Sequence, residues 1–309
     1  MSDFVHHPVM LAEVLTVLRP RPGGRYADGT VGGSGHAAAI LARSQPNGWL
    51  FGCDRDGVAV EAARANLSEF EGRFDIRRGN FDEMAPWIEA ESCDGVLLDL
   101  GVSSPQLDRA ERGFSFQQEG LLDMRMDQDQ SLTAAKLLNE ESVEKLAKIF
   151  WEWGGERDSR RIARAIQRDR QERPFVTTRQ LAGLMERISP RAGKKTHPAT
   201  KIFQALRIAV NDEVGSLQRG LAAALKILKP GGRLAVITFH SLEDRIVKDF
   251  GRKNSRDYEM AGEVDVPELR VPVPPKLKII NRKAIRPSDE EIKKNPRSRS
   301  AQLRVMEKI

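Results

Sequence analysis

Short apolar runs recur through the first hundred residues and alternate with segments of helical spacing. The apolar runs lie at 25–27, 49–53, 74–77 and 94–100, and the helical segments include 37–42 and 58–67. The fourth run is apolar enough to be buried on both faces, which is typical of a strand inside a parallel sheet. This alternation predicts a parallel β-sheet with helices packed on it.

The alternation stops in the middle of the chain and resumes later. Residues 106–211 contain no clear core strand, and helices are predicted there at 142–153, 158–171 and 178–188. A long amphipathic helix follows at 214–228, and the sequence Lys-Pro-Gly-Gly at 229–232 is predicted to stop the chain before a further strand at 233–239. We therefore expect a doubly wound α/β sheet interrupted by a helical insertion.

The last part of the chain carries two further candidate strands. Residues 277–280 and 302–306 are expected to pair as antiparallel strands, and a helix-start signal lies between them at 286–291. The predicted domain organisation is a core built from 1–105 and 212–309, into which an all-α domain is inserted at 106–211.

Composition narrows the class of protein. The chain has 309 residues, of which 40% are hydrophobic. No apolar segment approaches the length of a membrane span, and the first residues lack a basic region followed by an apolar stretch, so neither a transmembrane helix nor a secretory signal is expected. Cys53 and Cys93 each lie beside a predicted core strand, which suits unpaired thiols in a reducing cytoplasm and does not favour a zinc site. We expect a globular, cytoplasmic protein.

Positive charge is concentrated in the predicted insertion, although the whole chain has a formal net charge of only +6. Five arginines recur at three- and four-residue steps: Arg157, Arg160, Arg161, Arg164 and Arg168. Helical spacing places them on one face. A solvated helix face is the alternative, but the scarcity of acids around this stripe favours contact with nucleic acid.

The most informative motif is a glycine-rich turn after the first predicted strand. It reads Asp28-Gly29-Thr30-Val31-Gly32-Gly33-Ser34-Gly35-His36. Glycine lets a ligand approach the backbone closely, and the free N–H groups of the following helix favour a polar or anionic group. Asp54, after the second strand, has the place of an acid that binds ribose hydroxyls. The motif predicts a nucleoside cofactor, while a loop that merely caps a helix is the simpler alternative.

The identity of this cofactor is not fixed by the turn alone, because NAD, FAD and S-adenosylmethionine all remain open. The glycines fit the G-x-G-x-x-G spacing of dinucleotide sites imperfectly. In an open α/β sheet, ligands bind beyond the carboxyl ends of the strands. That edge gathers the 28–36 turn, Asp54, the pair Asn80-Phe81, residues 99–106 and residues 239–241. Each has a simpler explanation as a cap or core residue, but together they predict a site.

Longer motifs resemble one enzyme family. The glycine turn resembles motif I of class I methyltransferases, with its acid at Asp28, although Thr30 and Ser34 stand where that family usually has glycine. Residues 98–108, Leu-Asp-Leu-Gly-Val-Ser-Ser-Pro-Gln-Leu-Asp, resemble the strand-four motif of the bacterial 16S ribosomal RNA cytosine-N4 methyltransferases, the small-subunit methyltransferase H family. Further segments that resemble this family lie at 7–10, 112–116, 122–127, 197–200, 203–208, 239–245 and 295–300.

The resemblance implies a class I S-adenosylmethionine-dependent methyltransferase, a Rossmann-like doubly wound sheet with a C-terminal antiparallel hairpin, in which the inserted domain recognises the substrate. It implies no metal. The implied cofactor contacts are Ser34, Gly35 and His36 at the methionine half, Asp54 at the ribose, Phe81 near the adenine, and Asp99 and Gln106 completing the pocket.

The implied substrate is the exocyclic N4 of a cytidine in the decoding centre of 16S ribosomal RNA, within the small ribosomal subunit. That nitrogen is a poor nucleophile because its lone pair is delocalised into the ring, so groups that accept its two hydrogens can direct the lone pair at the methyl group. The catalytic candidates are Asp99, a backbone carbonyl of residues 101–104 such as that of Ser103, and His240. The Pro-Pro-aromatic sequence common in amino-methylating enzymes is absent after Asp99.

Basic residues of the insertion and of the C-terminal segment are candidates to hold RNA phosphates. They are Arg160, Arg164, Lys194, Lys195, Arg297 and Arg299. No membrane partner is expected, and a monomer and a homodimer both remain open.

Three rival functions are retained. One is a DNA or small-molecule amine methyltransferase, and another is a cofactor-binding RNA assembly factor without turnover, against which the presence of Asp54 and Asp99 argues. The third is a nicotinamide oxidoreductase. It is the least favoured, because most NAD-binding domains continue with parallel units where this chain predicts an antiparallel pair.

Overall fold

A computed structural model describes residues 8–189, 196–262 and 266–309 of the chain. These residues form two compact units. The first unit combines the residues up to Gly101 with Ser216–Ile309, and the second unit is Val102–Gly215. Among the described helices, none is long and apolar enough to cross a membrane.

The described residues contain nine strands and twelve α-helices. The strands are β1 (Arg25–Asp28), β2 (Trp49–Asp54), β3 (Phe74–Arg78), β4 (Cys93–Asp99), β5 (Leu228–Thr238), β6 (Tyr258–Met260), β7 (Arg270–Pro272), β8 (Leu277–Ile279) and β9 (Gln302–Lys308). The helices are α1 (Leu11–Leu18), α2 (Gly35–Arg43), α3 (Gly57–Asn66), α4 (Ser104–Asp108), α5 (Ala134–Glu140), α6 (Val143–Glu152), α7 (Ser159–Glu172), α8 (Thr178–Ile188), α9 (Thr200–Asn211), α10 (Glu213–Ile227), α11 (Ser241–Asn254) and α12 (Asp289–Lys294).

Seven strands form the central sheet of the first unit, in the order β3-β2-β1-β4-β5-β9-β8. Strands β1 to β5 pair in parallel, whereas β9 is antiparallel to both β5 and β8. The strand order reverses at β1, which has β2 on one side and β4 on the other. This doubly wound sheet with an antiparallel edge confirms the predicted class I fold, and each of the seven strands predicted from the sequence is present.

Several local features differ from the sequence prediction, among them helices α4, α5, α9 and α11, which were not predicted. Helix α1 and the hairpin of β6 and β7 were not predicted, and the hairpin lacks an alternating apolar pattern because its residues are mostly exposed. The Lys-Pro-Gly-Gly sequence at 229–232 was predicted to stop the chain, but it lies within β5. The pairing register with β4 shifts there between Cys93 and Gly95, and Gly231 adopts a φ of +78°. An irregularity in a continuous strand therefore replaces the predicted break.

The sheet is buried on both of its faces. Successive side chains of β4 point to opposite sides, so Leu97 packs with Ile40 of α2, while Leu98 packs in a second cluster with Leu217 and Leu221 of α10. This two-sided burial explains why β4 is a nearly continuous apolar run rather than an alternating one.

The described residues of the second unit contain helices and no strand, apart from an isolated β-bridge between Leu121 and Thr177, and they have a core of their own. Phe150 of α6, Ile166 of α7, Leu181 of α8 and Leu206 of α9 are among the side chains buried in it. A separate core is what an independently packed domain requires. That this unit recognises the substrate stays a prediction.

Candidate active site

Three parallel strands of the first unit end in an aspartate. Strand β1 ends at Asp28, β2 at Asp54 and β4 at Asp99. Because β1 lies between β2 and β4, Asp28 is central and the other two carboxyls flank it. This edge of the sheet lies where the strand order reverses, which is where open α/β sheets bind their ligands.

The glycine turn links the ends of β1 and β4. The Thr30 N–H donates to Asp28 Oδ1 over 3.0 Å, and Thr30 Oγ1 accepts the Asp99 N–H over 2.7 Å. A Cβ on Gly29 would lie only 2.6 Å from Leu98 Cδ2, so a larger residue would not fit between the turn and β4. The Thr30 hydroxyl therefore has a structural role, because it fixes the backbone of Asp99.

Asp54 is oriented by two backbone N–H groups. The Gly32 N–H donates to Oδ2 and the Asp56 N–H donates to Oδ1, each over 2.9 Å. Gly32 adopts a φ of +47°, a region that glycine enters without strain. Burial raises the pKa of Asp54, and the two N–H groups oppose that rise. Each oxygen keeps a further lone pair, so the carboxylate can still accept hydroxyl donors.

Ser34 and Gly35 lie where the turn enters α2. Ser34 is buried with a φ of +64°, and its hydroxyl donates to the Gly33 carbonyl over 2.6 Å. A Cβ on Gly35 would lie 2.9 Å from Pro8 Cγ. The Ser34 hydroxyl is thus engaged with the backbone, and Gly35 is needed because the segment before α1 packs on it.

His36 bridges the segment before α1 and the end of β4. Its Nε2 is 2.9 Å from the Val9 carbonyl oxygen, and its Nδ1 is 3.8 Å from Asp99 Oδ2. The next residue, Met10, donates its N–H to Glu291 Oε1 over 2.7 Å. These contacts were not predicted from the sequence, where the only signal was the family motif at residues 7–10. His36 therefore connects the segment before α1 with the end of β4.

Asp28 and Asp99 are carboxyls of low exposure, and neighbouring carboxylates disfavour the charge of each, Asp54 that of Asp28 and Asp28 that of Asp99. Burial raises the pKa of Asp28 to about 7. Burial, followed by the charges of Asp28 and Glu243, raises the pKa of Asp99 to about 8. Within the described part of the chain, Asp28 Oδ2 and Asp99 Oδ1 are buried without a hydrogen-bond partner. Unpartnered buried oxygens are costly, so they indicate a ligand that donates hydrogen bonds or carries positive charge.

The raised pKa values predict how stability depends on pH. The folded, ligand-free protein holds protons on Asp28 and Asp99 that an unfolded chain loses near a pKa of 3.8. This stability is fully present below that value and is lost as pH rises through about 7 and about 8. We expect the free energy of unfolding from urea titrations to fall between about pH 4 and about pH 8 and to level off above that range, and Asp99→Asn to flatten the fall. An equally steep fall in Asp99→Asn would contradict this prediction.

Phe81 begins a short 3-10 turn, Phe81–Glu83, after β3. A Cβ on Gly220 of α10 would lie 2.2 Å from Phe81 Cδ2, and one on Gly29 would lie 2.7 Å from Phe81 Cβ. The two glycines let Phe81 pack against both the glycine turn and α10. The structure therefore brings Phe81 to the same strand-end edge as the glycine turn.

Two predicted site residues belong to the second unit. Ser103 precedes α4 as its N-cap, and its N–H donates to Gln106 Oε1 over 3.1 Å. Gln106 is buried. The catalytic role predicted for Ser103 and the cofactor role predicted for Gln106 stay predictions.

His240 caps the start of α11. Its Nδ1 accepts the Glu243 N–H over 3.4 Å, and its Nε2 lies 3.0 Å from Glu243 Oε1. An imidazole with its hydrogen on Nε2 satisfies both contacts. Glu243 also accepts the Phe239 N–H over 2.8 Å. This capping arrangement accounts for His240 structurally, and its catalytic role stays a prediction.

Known proteins that resemble the chain identify its family. A family model described as the MraW methylase family matches residues 3–309. The chain belongs to this family. A relative from Methylococcus capsulatus, named Ribosomal RNA small subunit methyltransferase H, is 50% identical over 97% of this chain and 99% of its own length. A relative of the same name from Heliobacterium mobile is 49% identical over 99% of this chain and 100% of its own length.

Membership of this methylase family confirms the resemblance found in the sequence and the predicted cofactor, S-adenosylmethionine. A crystal structure of an rRNA methylase from Streptococcus thermophilus covers 99% of both chains with 9% identity and a TM-score of 0.45. An identity and a TM-score this low do not support a conclusion about this methylase. The class I fold is assigned from its strand order.

The described residues fit that cofactor. S-adenosylmethionine carries a sulfonium cation and an amino group, and the unpartnered oxygens of Asp28 and Asp99 suit positive or hydrogen-donating groups. Its ribose has hydroxyl donors, which suit the oriented Asp54 carboxylate. A Cβ on Gly32 would meet only the Thr30 carbonyl, at 3.8 Å, so the turn is open beside it. The strand-end edge of this methylase therefore has the donors, acceptors and space that the cofactor needs.

The candidate RNA contacts lie on the surface wherever the structure describes them. Arg160 and Arg164 are exposed on α7, and Arg297 and Arg299 are exposed in the short turn Pro296–Ser300 after α12. Lys194 and Lys195 lie outside the described residues. RNA binding by these six residues stays a prediction.

Proposed function

We propose that this protein transfers a methyl group from S-adenosylmethionine to the exocyclic N4 of a cytidine in the decoding centre of 16S ribosomal RNA. The observation that carries the proposal is the Asp99 carboxyl, which ends β4 beside the glycine turn with a buried and unpartnered oxygen. The relatives named Ribosomal RNA small subunit methyltransferase H support ribosomal RNA of the small subunit as the substrate.

The proposed cofactor contacts follow the strand ends. Asp54 would accept the ribose hydroxyls, and Phe81 would lie against the adenine. The methionine half would lie at residues 34–36, where the N–H groups of the first turn of α2 favour its carboxylate. The Ser34 hydroxyl is engaged with Gly33, so we assign Ser34 a role through its backbone. Asp99 and Gln106 are the further candidate cofactor contacts.

Asp99 is the proposed acceptor for the reacting amine. The bound cofactor supplies an electrophilic methyl group. Asp99 Oδ1 would accept one N4 hydrogen, which holds the amine in line and turns its lone pair out of the ring. A carbonyl near Ser103, or His240, would accept the other hydrogen. The target base must be unstacked to reach the strand ends.

Asp99 is also suited to receive the proton that methyl transfer releases. When N4 gains a methyl group it must lose one proton to become the neutral methylamine. A carboxyl whose pKa is raised to about 8 by burial holds such a proton well near neutral pH. The Asp99 carboxyl would be ionised more readily while the bound cofactor is positively charged, and would hold a proton more strongly after methyl transfer has removed that charge.

Nucleoside mass spectrometry tests the proposed reaction. The purified protein, S-adenosylmethionine and 16S ribosomal RNA, as free RNA and as small subunits, are incubated. One part of the RNA is digested to nucleosides, which identifies the methylated atom, and another part to oligonucleotides, which locates the methylated position. We expect N4-methylated cytidine from one decoding-centre position. Methylation of another atom would overturn the N4 assignment, and equal activity on DNA or free cytidine would favour the rival methyltransferases. Cofactor binding without any turnover would favour an assembly factor.

The second unit offers a surface suited to the RNA backbone. Four arginines lie on the exposed face of α7, opposite the buried side chains of Ile162 and Ile166, and Arg157 lies exposed just before the helix; the four are Arg160, Arg161, Arg164 and Arg168. Arg161, Arg164 and Arg168 line a hollow of about 390 Å³ together with Ala165 and Ile188. Arg160 and Arg164 form no ion pair with any residue in the described ranges. Such unpaired charges are available to phosphates.

Neutralising two arginines of this face is expected to weaken RNA binding. Arg160→Gln with Arg164→Gln should raise the Kd for 16S ribosomal RNA at least about 10-fold and reduce the slope of log Kd against log salt by between about 1 and 2. The Kd for S-adenosylhomocysteine should not change. Filter binding at several salt concentrations and calorimetry provide these values. Arg173→Gln with Arg179→Gln, exposed arginines outside the face, is the control of equal charge. If both double variants lose RNA affinity equally, the affinity depends on the total charge of the protein and not on the arginine face of α7.

A further inference from the structure

We propose that α10 positions the adenosine half of the cofactor, through Ser216 and Gly220 on one face of the helix. These residues are four apart, so they lie one above the other on the helix. They contact the two segments that follow β2 and β3, which carry Asp54 and Phe81. The inference rests on the proposed function only for the placement of adenosine at those two residues.

Ser216 joins the two segments through its hydroxyl. It is buried, and its Oγ accepts hydrogen bonds from Asn80 Nδ2 over 2.7 Å and from Arg55 Nη2 over 3.2 Å. Arg55 directly follows Asp54, and Asn80 directly precedes Phe81. One side chain of α10 thus contacts the neighbours of both proposed adenosine contacts, so its loss removes a hydrogen bond from both segments at once.

Gly220 sets how closely Phe81 approaches α10. A Cβ at this position would lie 2.2 Å from Phe81 Cδ2 and 2.4 Å from Cε2, distances that real contacts do not reach. Glycine is unfavourable inside a helix, and Gly220 has no positive φ that would require it. Its place in α10 is therefore explained by the Phe81 ring that lies against the helix backbone.

Arg219 adds an ion pair between α10 and the segment that carries Phe81. Its Nε donates to Asp82 Oδ2 over 2.9 Å, and the side chain of Asp82 is nearly fully buried. Positions 216, 219 and 220 of α10 therefore all contact the short segment 80–82. A helix that holds this segment at three points fixes the Phe81 ring before the cofactor arrives, which lowers the ordering cost of binding.

Calorimetry with two ligands tests this role. S-adenosylhomocysteine contains both halves of the cofactor, and 5′-methylthioadenosine lacks the amino-acid half. We expect Gly220→Ala to raise the Kd of both ligands by the same factor, roughly 10-fold or more, and Ser216→Ala to raise both about 3- to 10-fold. The KM for S-adenosylmethionine should rise with them, while the Kd for RNA stays unchanged.

Gly183→Ala is the matched control for Gly220→Ala. Gly183 lies within α8, and a Cβ there would meet nothing within 4 Å. Its replacement should leave both ligand affinities at the wild-type values. Thermal unfolding of each variant shows whether it is folded. If Gly220→Ala does not fold, Ser216→Ala carries the test alone.

Two kinds of failure can be separated. Wild-type affinity of both ligands in folded Ser216→Ala and Gly220→Ala protein would overturn the role of α10 and leave the proposed function intact. A loss confined to S-adenosylhomocysteine would also overturn it, because the effect would then follow the amino-acid half. If the wild-type protein does not bind 5′-methylthioadenosine, or if Asp54→Ala binds both ligands normally, the placement of adenosine fails, and this inference fails with it.

Discussion

Replacing Asp99 by alanine is expected to lower kcat for methyl transfer roughly 100- to 1,000-fold, the usual effect of removing one preorganised group that acts in the transition state. The change removes the acceptor proposed for an N4 hydrogen and the group proposed to receive the released proton. Single-turnover measurements with saturating S-adenosylmethionine and 16S ribosomal RNA report this step directly.

Two further variants make the result specific. Asp99→Asn keeps an oxygen that accepts a hydrogen bond but cannot take up the proton, so its rate should lie between those of the wild type and Asp99→Ala. Asp249→Ala removes an exposed acid of α11, paired with Arg252 at 3.9 Å, and should not change the rate. A kcat for Asp99→Ala within about threefold of the wild-type value would be incompatible with the proposed role.

Replacing Asp54 by alanine is expected to raise the Kd for S-adenosylhomocysteine about 100-fold or more, because the two charge-assisted hydrogen bonds proposed between Asp54 and the ribose would be lost. The same carboxylate holds the N–H groups of Gly32 and Asp56. The variant therefore also releases the glycine turn, which adds an ordering cost to binding. Calorimetry gives the affinity and the stoichiometry together.

The controls for Asp54 separate ribose binding from support of the turn. Asp54→Asn keeps one acceptor oxygen and should lose less affinity than Asp54→Ala. Asp75→Ala changes a half-buried acid of β3 that pairs with Arg77 over 2.9 Å, and should bind as the wild type does. Unchanged affinity in Asp54→Ala would remove the ribose assignment, whatever the activity of the variant.

The sequence alone determined most of the fold. The apolar runs of the seven sheet strands were predicted because burial on one or both faces imposes a pattern that the sequence displays. Strands β6 and β7 were missed because they are mostly exposed and carry no such pattern. The Lys-Pro-Gly-Gly sequence at 229–232 was misjudged because Leu228 before it and Arg233 after it both pair with β4, so the strand continues across these four residues as an irregularity.

The sequence also determined the candidates for the site, since strand ends and the glycine turn can be located from local patterns. It could not determine which of these residues are free to act. Ser34 as a cofactor contact and His240 as a second catalytic candidate stood beside Asp99, yet the structure engages the Ser34 hydroxyl with a neighbouring carbonyl and both ring nitrogens of His240 with Glu243. Asp99 alone of these three keeps a buried and unpartnered oxygen.

Only the tertiary structure decided the contacts between distant residues. Thr30 holds the backbone of Asp99, His36 spans from Val9 toward Asp99, and Ser216 joins the segments after β2 and β3. The raised pKa of Asp99 belongs to the same class of property, because it arises from burial and from the charges of Asp28 and Glu243. Local sequence fixes which residues prefer a strand, a turn or a helix, whereas the distances and the exclusion of water that give a carboxyl its chemistry exist only once the chain has packed.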